Sequence, residues 1–124
     1  MRDPARILVV DDVADNVEIL RDLLGMAGYE MVEAHDGAQG VAMAAEHRPD
    51  LILMDIQMPV LDGYEATRRI KANPALAAIP IVAVTSYALS GDEQKARAAG
   101  CNDYIAKPYS PRQMLAKIRE ILGS

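Results

Sequence analysis

Short runs of uninterrupted apolar residues alternate along this chain with longer stretches in which apolar residues return every three or four positions. The short runs predict strands buried on both faces, and the longer stretches predict helices with one inward stripe. Arg6 to Val10 reads as the first strand, with Ile7, Leu8, Val9 and Val10 all apolar. Val13, Val17, Leu20 and Leu24 then recur at helical spacing, and Gly28 stops that helix. Tyr29 to Ala34 predicts a second strand, and Asp36 opens a helix to about Glu46 with Val41 and Ala44 inward. Asp50 to Asp55 predicts the third strand, followed by a turn through Pro59 and Gly63 and a helix from Tyr64 to Ala72. Asn73-Pro74 ends that helix, and Pro80 precedes a fourth strand, Ile81 to Thr85. A helix from Gly91 or Asp92 to Gly100, a short strand from Asn102 to Ala106 and a helix from Pro111 to Leu122 complete the pattern. The last helix is expected to turn Met114, Leu115, Ile118 and Leu122 inward.

Five strands alternating with five helices predict βαβ units and a parallel sheet, an α/β (βα)5 fold. No linker, repeat or low-complexity segment interrupts it, so residues 1–124 read as a single domain. The chain stops where the fifth helix stops, so a second domain is not expected. Met1 stands close to the first strand, which argues against an N-terminal extension. The fourth helix, Asp92 to Ala99, has only alanines to bury. At about 25 cal/mol per Å² of apolar area, so little burial makes it the element expected to shift most easily.

Composition narrows the function. With no Phe and no Trp, the core must be aliphatic, with the seven Met as filler. Tyr29, Tyr64, Tyr87, Tyr104 and Tyr109 are then conspicuous, since three of the five lie beside polar strand ends. Thirteen basic against eighteen acidic residues give a net charge of −5, which opposes nucleic-acid binding and suits protein or small-ion partners. A single cysteine, Cys101, excludes an intramolecular disulfide. No apolar stretch is long enough to span a bilayer, and the first residues lack a signal-peptide apolar region. The cytoplasm is the expected compartment.

Polar groups at the strand ends carry the chemistry. Asp55 closes the run Leu51-Ile52-Leu53-Met54, Asp11-Asp12 follows the first strand, Thr85 ends the fourth, and Lys107 follows the fifth. Right-handed crossovers bring all these ends to one edge of the sheet. Taken singly, each has a plain explanation: a turn or cap for the aspartates, a strand position for Thr85, a solvated charge for Lys107. Together they are specific. Three adjacent carboxylates repel unless a cation sits among them, and no His or Cys cluster is available for zinc. A hard cation held by a few carboxylates suits Mg²⁺. Carboxylate, Mg²⁺ and lysine together handle phosphate, and an aspartate can itself be the nucleophile that becomes an acyl phosphate.

Asp11-Asp12, Asp55 with its Met58-Pro59-Val60-Leu61-Asp62-Gly63 turn, Thr85 and Lys107-Pro108 together resemble the receiver domain of two-component response regulators. The run from Pro59 to Ile70 is in the style of stand-alone receivers and of hybrid-kinase receivers. The resemblance implies a flavodoxin-like doubly wound sheet of order 2-1-3-4-5, an arrangement for which a receiver is a standard example. It implies that Asp55 accepts a phosphoryl group from a kinase phosphohistidine. Asp12, Asp55 and the backbone carbonyl of Gln57 would bind Mg²⁺, with Asp11 helping through water. Lys107 would pair with Asp55 at rest and with the phosphoryl group afterwards. Thr85 would move to hydrogen-bond that group, and Tyr104 would turn into the space vacated. The bond before Pro108 would be cis, against about 5–6% for such bonds in general.

Such a protein is a switch rather than an enzyme, with a sensor histidine kinase or histidine phosphotransferase as donor. Its phosphorylation adds roughly 1.5 to 2 negative charges, which can bias the segment from Ser86 to Ala99 together with Tyr104. Its output would pass to a protein effector through the fourth helix, fifth strand and fifth helix, where Tyr104, Tyr109, Lys117 and Arg97 are candidate contacts. Ser86 stands where most receivers have Ala or Gly, and Tyr87 is expected to cover the acyl phosphate in part. Two other readings remain open. One is a receiver module of a longer hybrid kinase or regulator. The other is a haloacid-dehalogenase-like phosphatase, against which stands Gln57 where such enzymes place a second aspartate.

Overall fold

A computed structural model describes residues 4–56, 58, 61–85 and 92–123. Among them the strands are β1 (Arg6–Val10), β2 (Glu30–Ala34), β3 (Leu51–Asp55), β4 (Ile81–Thr85) and β5 (Asp103–Ala106). The helices are α1 (Ala14–Met26), α2 (Gly37–His47), α3 (Gly63–Ala72), α4 (Asp92–Ala99) and α5 (Pro111–Leu122). The strands form one parallel sheet in the order β2-β1-β3-β4-β5, the doubly wound order implied by the resemblance.

Alternation along each strand sorts the core into two layers. Leu8, Val10, Ile52, Met54, Ile81 and Ala83 face α2, α3 and α4, meeting Ala44, Ala66, Ile70 and Ala96. Ile7, Val9, Leu51, Leu53, Val82 and Val84 face α1 and α5, meeting Leu20, Leu24, Met114 and Ile118. Both faces of the sheet are therefore covered, which is why the strand runs are apolar at every position. Among its described residues helix α4 buries Ala96 and Ala99 alone, the small apolar load its sequence predicts.

Several boundaries shift by one residue, each for a visible reason. Tyr29 lies outside β2 because its N–H donates back to Leu24 O at 2.9 Å. Asp50 precedes β3, and its side chain accepts from Arg6 N–H at 2.8 Å. Asn102 precedes β5, with its Oδ1 accepting from Ile81 N–H at 3.0 Å. Gly63 opens α3 rather than preceding it, because Asp62 caps that helix through a bond from Glu65 N–H at 2.9 Å. Leu115 is half-exposed, and Ile121 packs against the core in its place. Helix α5 carries a full capping box, Ser110 with Gln113, and Pro111 at its first turn. No helix among the described residues is long and apolar enough to cross a membrane.

Candidate functional site

The register of the sheet sets the site. Val10 lies beside Ala34 and Met54, Asp55 beside Val84, and Thr85 beside Ala106. The residues that follow β1, end β3 and β4, and follow β5 thus share one edge. There Asp11, Asp12 and Asp55 each present a carboxylate oxygen within 4.8 Å of the other two. Asp11 and Asp55 are each 4% exposed and Thr85 1%, whereas Asp12 is exposed.

None of the three aspartates is the N-cap of α1, α2, α3 or α5. The N-cap of α1 is Val13, without a side-chain cap, and the caps of α2 and α3 are Asp36 and Asp62. Helix capping therefore does not account for these carboxylates. Asp11 is held from within: its Oδ1 accepts Val13 N–H at 2.9 Å, and its Oδ2 takes Asn16 Nδ2 at 3.4 Å. Lys107 Nζ lies 3.6 Å from the same Oδ2. The ion pair described for Lys107 is thus with Asp11, where the resemblance implied Asp55. Asp55 and Thr85 have interactions of their own. The Lys107–Pro108 bond is cis, as the resemblance implied, and Lys107 N–H donates to Thr85 O at 2.7 Å.

Asn16 is a residue that sequence reasoning missed. Its signal was faint: a polar position in the first turn of α1, within reach of the acidic pair. With Ile19, Lys107, Pro108 and Tyr109 it lines an open cavity of about 490 Å³ beside the carboxylates. Burial pushes the Tyr109 phenol above its ordinary pKa, and the nearby Asp11 charge adds to that. Tyr104 is half-buried against the layer of core that faces α2, α3 and α4. Arg97 and Lys117, expected as output contacts, both approach Asp103, at 3.8 and 3.2 Å. Gln57, Ser86 and Tyr87 lie outside the described residues.

The donor set fits a hard cation. Three carboxylates, two of them buried, face one ammonium, so a divalent ion would offset the remaining repulsion.

Comparison with known proteins agrees. The family model of the response regulator receiver domain matches residues 7–119. The chain belongs to that family. It is 42% identical over 120 residues to the polar-differentiation response regulator DivK of Brucella anthropi, covering 97% of this chain and 98% of that protein. The receiver domain of a Pseudomonas aeruginosa sensor histidine kinase superposes with a TM-score of 0.90 at 40% identity, over 97% of this chain and 98% of that one. That crystal structure carries a magnesium ion coordinated in its active site cleft. The Vibrio cholerae chemotaxis protein CheY4 superposes with a TM-score of 0.90 at 29% identity, over 94% of this chain and 98% of that one. Receivers bind Mg²⁺ in an acidic pocket, and this receiver has that pocket at Asp11, Asp12 and Asp55.

Proposed function

We propose that this receiver works as a single-domain response regulator of a two-component phosphorelay, with Asp55 as the phosphoryl acceptor. One observation carries the reading: Asp55 is a buried carboxylate gathered with Asp11 and Asp12 at the sheet edge where Lys107 arrives. The match to DivK over nearly all of both proteins supports treating residues 1–124 as one receiver unit. Membership of the family makes it a signalling switch whose donors are histidine kinases or phosphotransferases. The cytoplasm is the compartment we assign.

In the transfer, an Asp55 carboxylate oxygen forms a bond to phosphorus as the P–N bond of phosphohistidine breaks, and the released imidazole takes up a proton. Mg²⁺, when bound, offsets charge on the phosphoryl oxygens. Asp12, Asp55 and the Gln57 carbonyl would hold it, with Asp11 acting through water. Burial of Asp55 keeps the acceptor on a rigid strand end and limits water around it. Lys107 pairs with Asp11 in the same acidic cluster, and leaving Asp11 would free its charge for a phosphoryl oxygen. Thr85 and Tyr104 are the readout: Thr85 would hydrogen-bond the phosphoryl group and Tyr104 would follow. The small apolar load of α4 supports a population shift there. A swing from 1:99 to 99:1 needs about 5.5 kcal/mol of differential interaction. A few charge-assisted hydrogen bonds of about 1.5–3 kcal/mol each suffice.

Output would then pass through the face of α4, β5 and α5. A groove on the β5 and α5 part of that face is lined by Tyr104, Ala106, Gln113 and Lys117. We assign a monomer or weak dimer. The test is incubation with a small phosphodonor and Mg²⁺, followed by intact-mass measurement. Wild type gains one phosphoryl group and Asp55→Asn gains none. A folded wild type that stays unmodified in Mg²⁺ overturns the assignment.

A further inference from the structure

Helix α2 begins unusually close to the segment that follows Asp55. Gly37, the first residue of α2, is buried, and a Cβ placed on it would overlap the carbonyl oxygen of Leu61. That Cβ would also lie 2.9 Å from Leu61 C and 3.0 Å from Leu61 Cβ. The backbone of Gly37 is not in the left-handed region, so glycine is required there for space rather than for conformation. A side-chain neighbour could rotate away, but a carbonyl moves only with its chain.

Leu61 leads straight to the acceptor. The next residue, Asp62, caps α3, and after it Gly63 makes a second close approach. A Cβ on Gly63 would overlap Asp55 O and lie 2.8 Å from Ile56 Cα, and Gly63 N–H donates to Ile56 O at 3.2 Å. Two tight contacts in series thus run from α2 through Leu61 to the backbone of Asp55. One turn further along α2, a Cβ on Gly40 would lie 3.0 Å from both methyls of Val10, the residue before Asp11. The start of α2 is itself held, with Asp36 accepting Gln39 N–H at 2.8 Å and Gln39 Oε1 accepting His35 N–H at 2.9 Å.

We propose that Gly37, seconded by Gly40, is a positioning residue of the acceptor site. The start of α2 wedges between the strand leading to Asp11-Asp12 and the segment leaving Asp55, and so sets the spacing of the carboxylates. The two glycines do not touch the phosphoryl group or the ion. They act through Leu61 and Val10, where displacement by a fraction of an ångström changes how well three carboxylates can share one cation. This inference rests on the acceptor reading above for its link to phosphorylation, but its metal arm stands separately.

The test is Mg²⁺ titration by calorimetry together with phosphoryl uptake from a small phosphodonor, on wild type, Gly37→Ala, Gly40→Ala and Ile118→Val. Ile118 is buried in the other core layer, so its variant reports lost stability without touching the wedge. Gly37→Ala should weaken Mg²⁺ binding roughly ten- to a hundredfold and slow uptake most at subsaturating Mg²⁺. Gly40→Ala, which presses on a side chain, should shift both in the same direction by less. Ile118→Val should leave both at wild-type values. Wild-type Mg²⁺ affinity in folded Gly37→Ala overturns the proposal, and if that variant does not fold, wild-type affinity in Gly40→Ala does so. Absence of phosphoryl uptake in wild type would instead strike the acceptor reading and leave the Mg²⁺ comparison to decide this one.

Discussion

Lys107 Nζ stands 3.6 Å from Asp11 Oδ2, so the ammonium of the fifth strand's end is committed to the carboxylate of the first. Asp11 Oδ2 also faces Asn16 Nδ2, and its Oδ1 is taken by Val13 N–H. Both Asp11 oxygens thus already face protein donors. Asp12, exposed within the same cluster, is the more accessible carboxylate for a cation.

Lys107 and Mg²⁺ accordingly compete for the same negative site. Lys107→Met should bind Mg²⁺ more tightly by about 1 kcal/mol, close to fivefold, because one resident positive charge is gone. Phosphoryl uptake at Asp55 should persist, while effector binding by the phosphorylated form should be lost. Calorimetric titration and a pull-down of both forms check this, and weaker Mg²⁺ binding in the variant would contradict it.

Asp12 adds a carboxylate within 4.8 Å of two others without any helix-capping role. In the absence of divalent ions, Asp12→Asn should raise Tm by a few degrees through relief of repulsion. Adding Mg²⁺ should raise Tm for wild type but not for the variant. Thermal melts with chelator and with Mg²⁺ give both results.

Tyr109 is expected to make stability fall at alkaline pH. Burial, reinforced by Asp11, raises the folded-state pKa of its phenol above the unfolded value. Its contribution is then fully present below about pH 10 and lost as pH rises through the folded value. Tyr109→Phe cannot titrate, so its Tm should decline less steeply than that of wild type above about pH 10. Parallel melts across that range would show coincident curves if the idea is wrong.

Lys71 ties three segments together. Its Nζ donates to Ala77 O at 3.0 Å, Ile79 O at 2.7 Å and Asn102 Oδ1 at 2.9 Å. Lys71→Met keeps the apolar stem but removes these charge-assisted bonds, and should cost about 2 kcal/mol in urea unfolding with an unchanged m value. Mg²⁺ affinity should not move, since the cluster lies away from the acidic edge.

Much of this could be read before folding. The boundaries of β1, β4 and α5 follow from sequence because both faces of the central strands are buried and because Pro111 marks a helix start. The one-residue errors at Tyr29, Asp50 and Asn102 arise where a residue bonds to the ladder or to a preceding turn without extending it. The acidic edge was legible as well, because a parallel sheet sends every strand end the same way.

What the sequence determined by itself is therefore the order of elements, the buried faces and the gathering of Asp11, Asp12, Asp55, Thr85 and Lys107 at one edge. Periodicity and strand direction carry that information along the chain. Tertiary structure alone decided that Lys107 pairs with Asp11, that Asn16 joins them, and that Gly37 abuts Leu61. Those are distances between elements far apart in sequence. They depend on how closely helices seat on the sheet, and no local pattern records that.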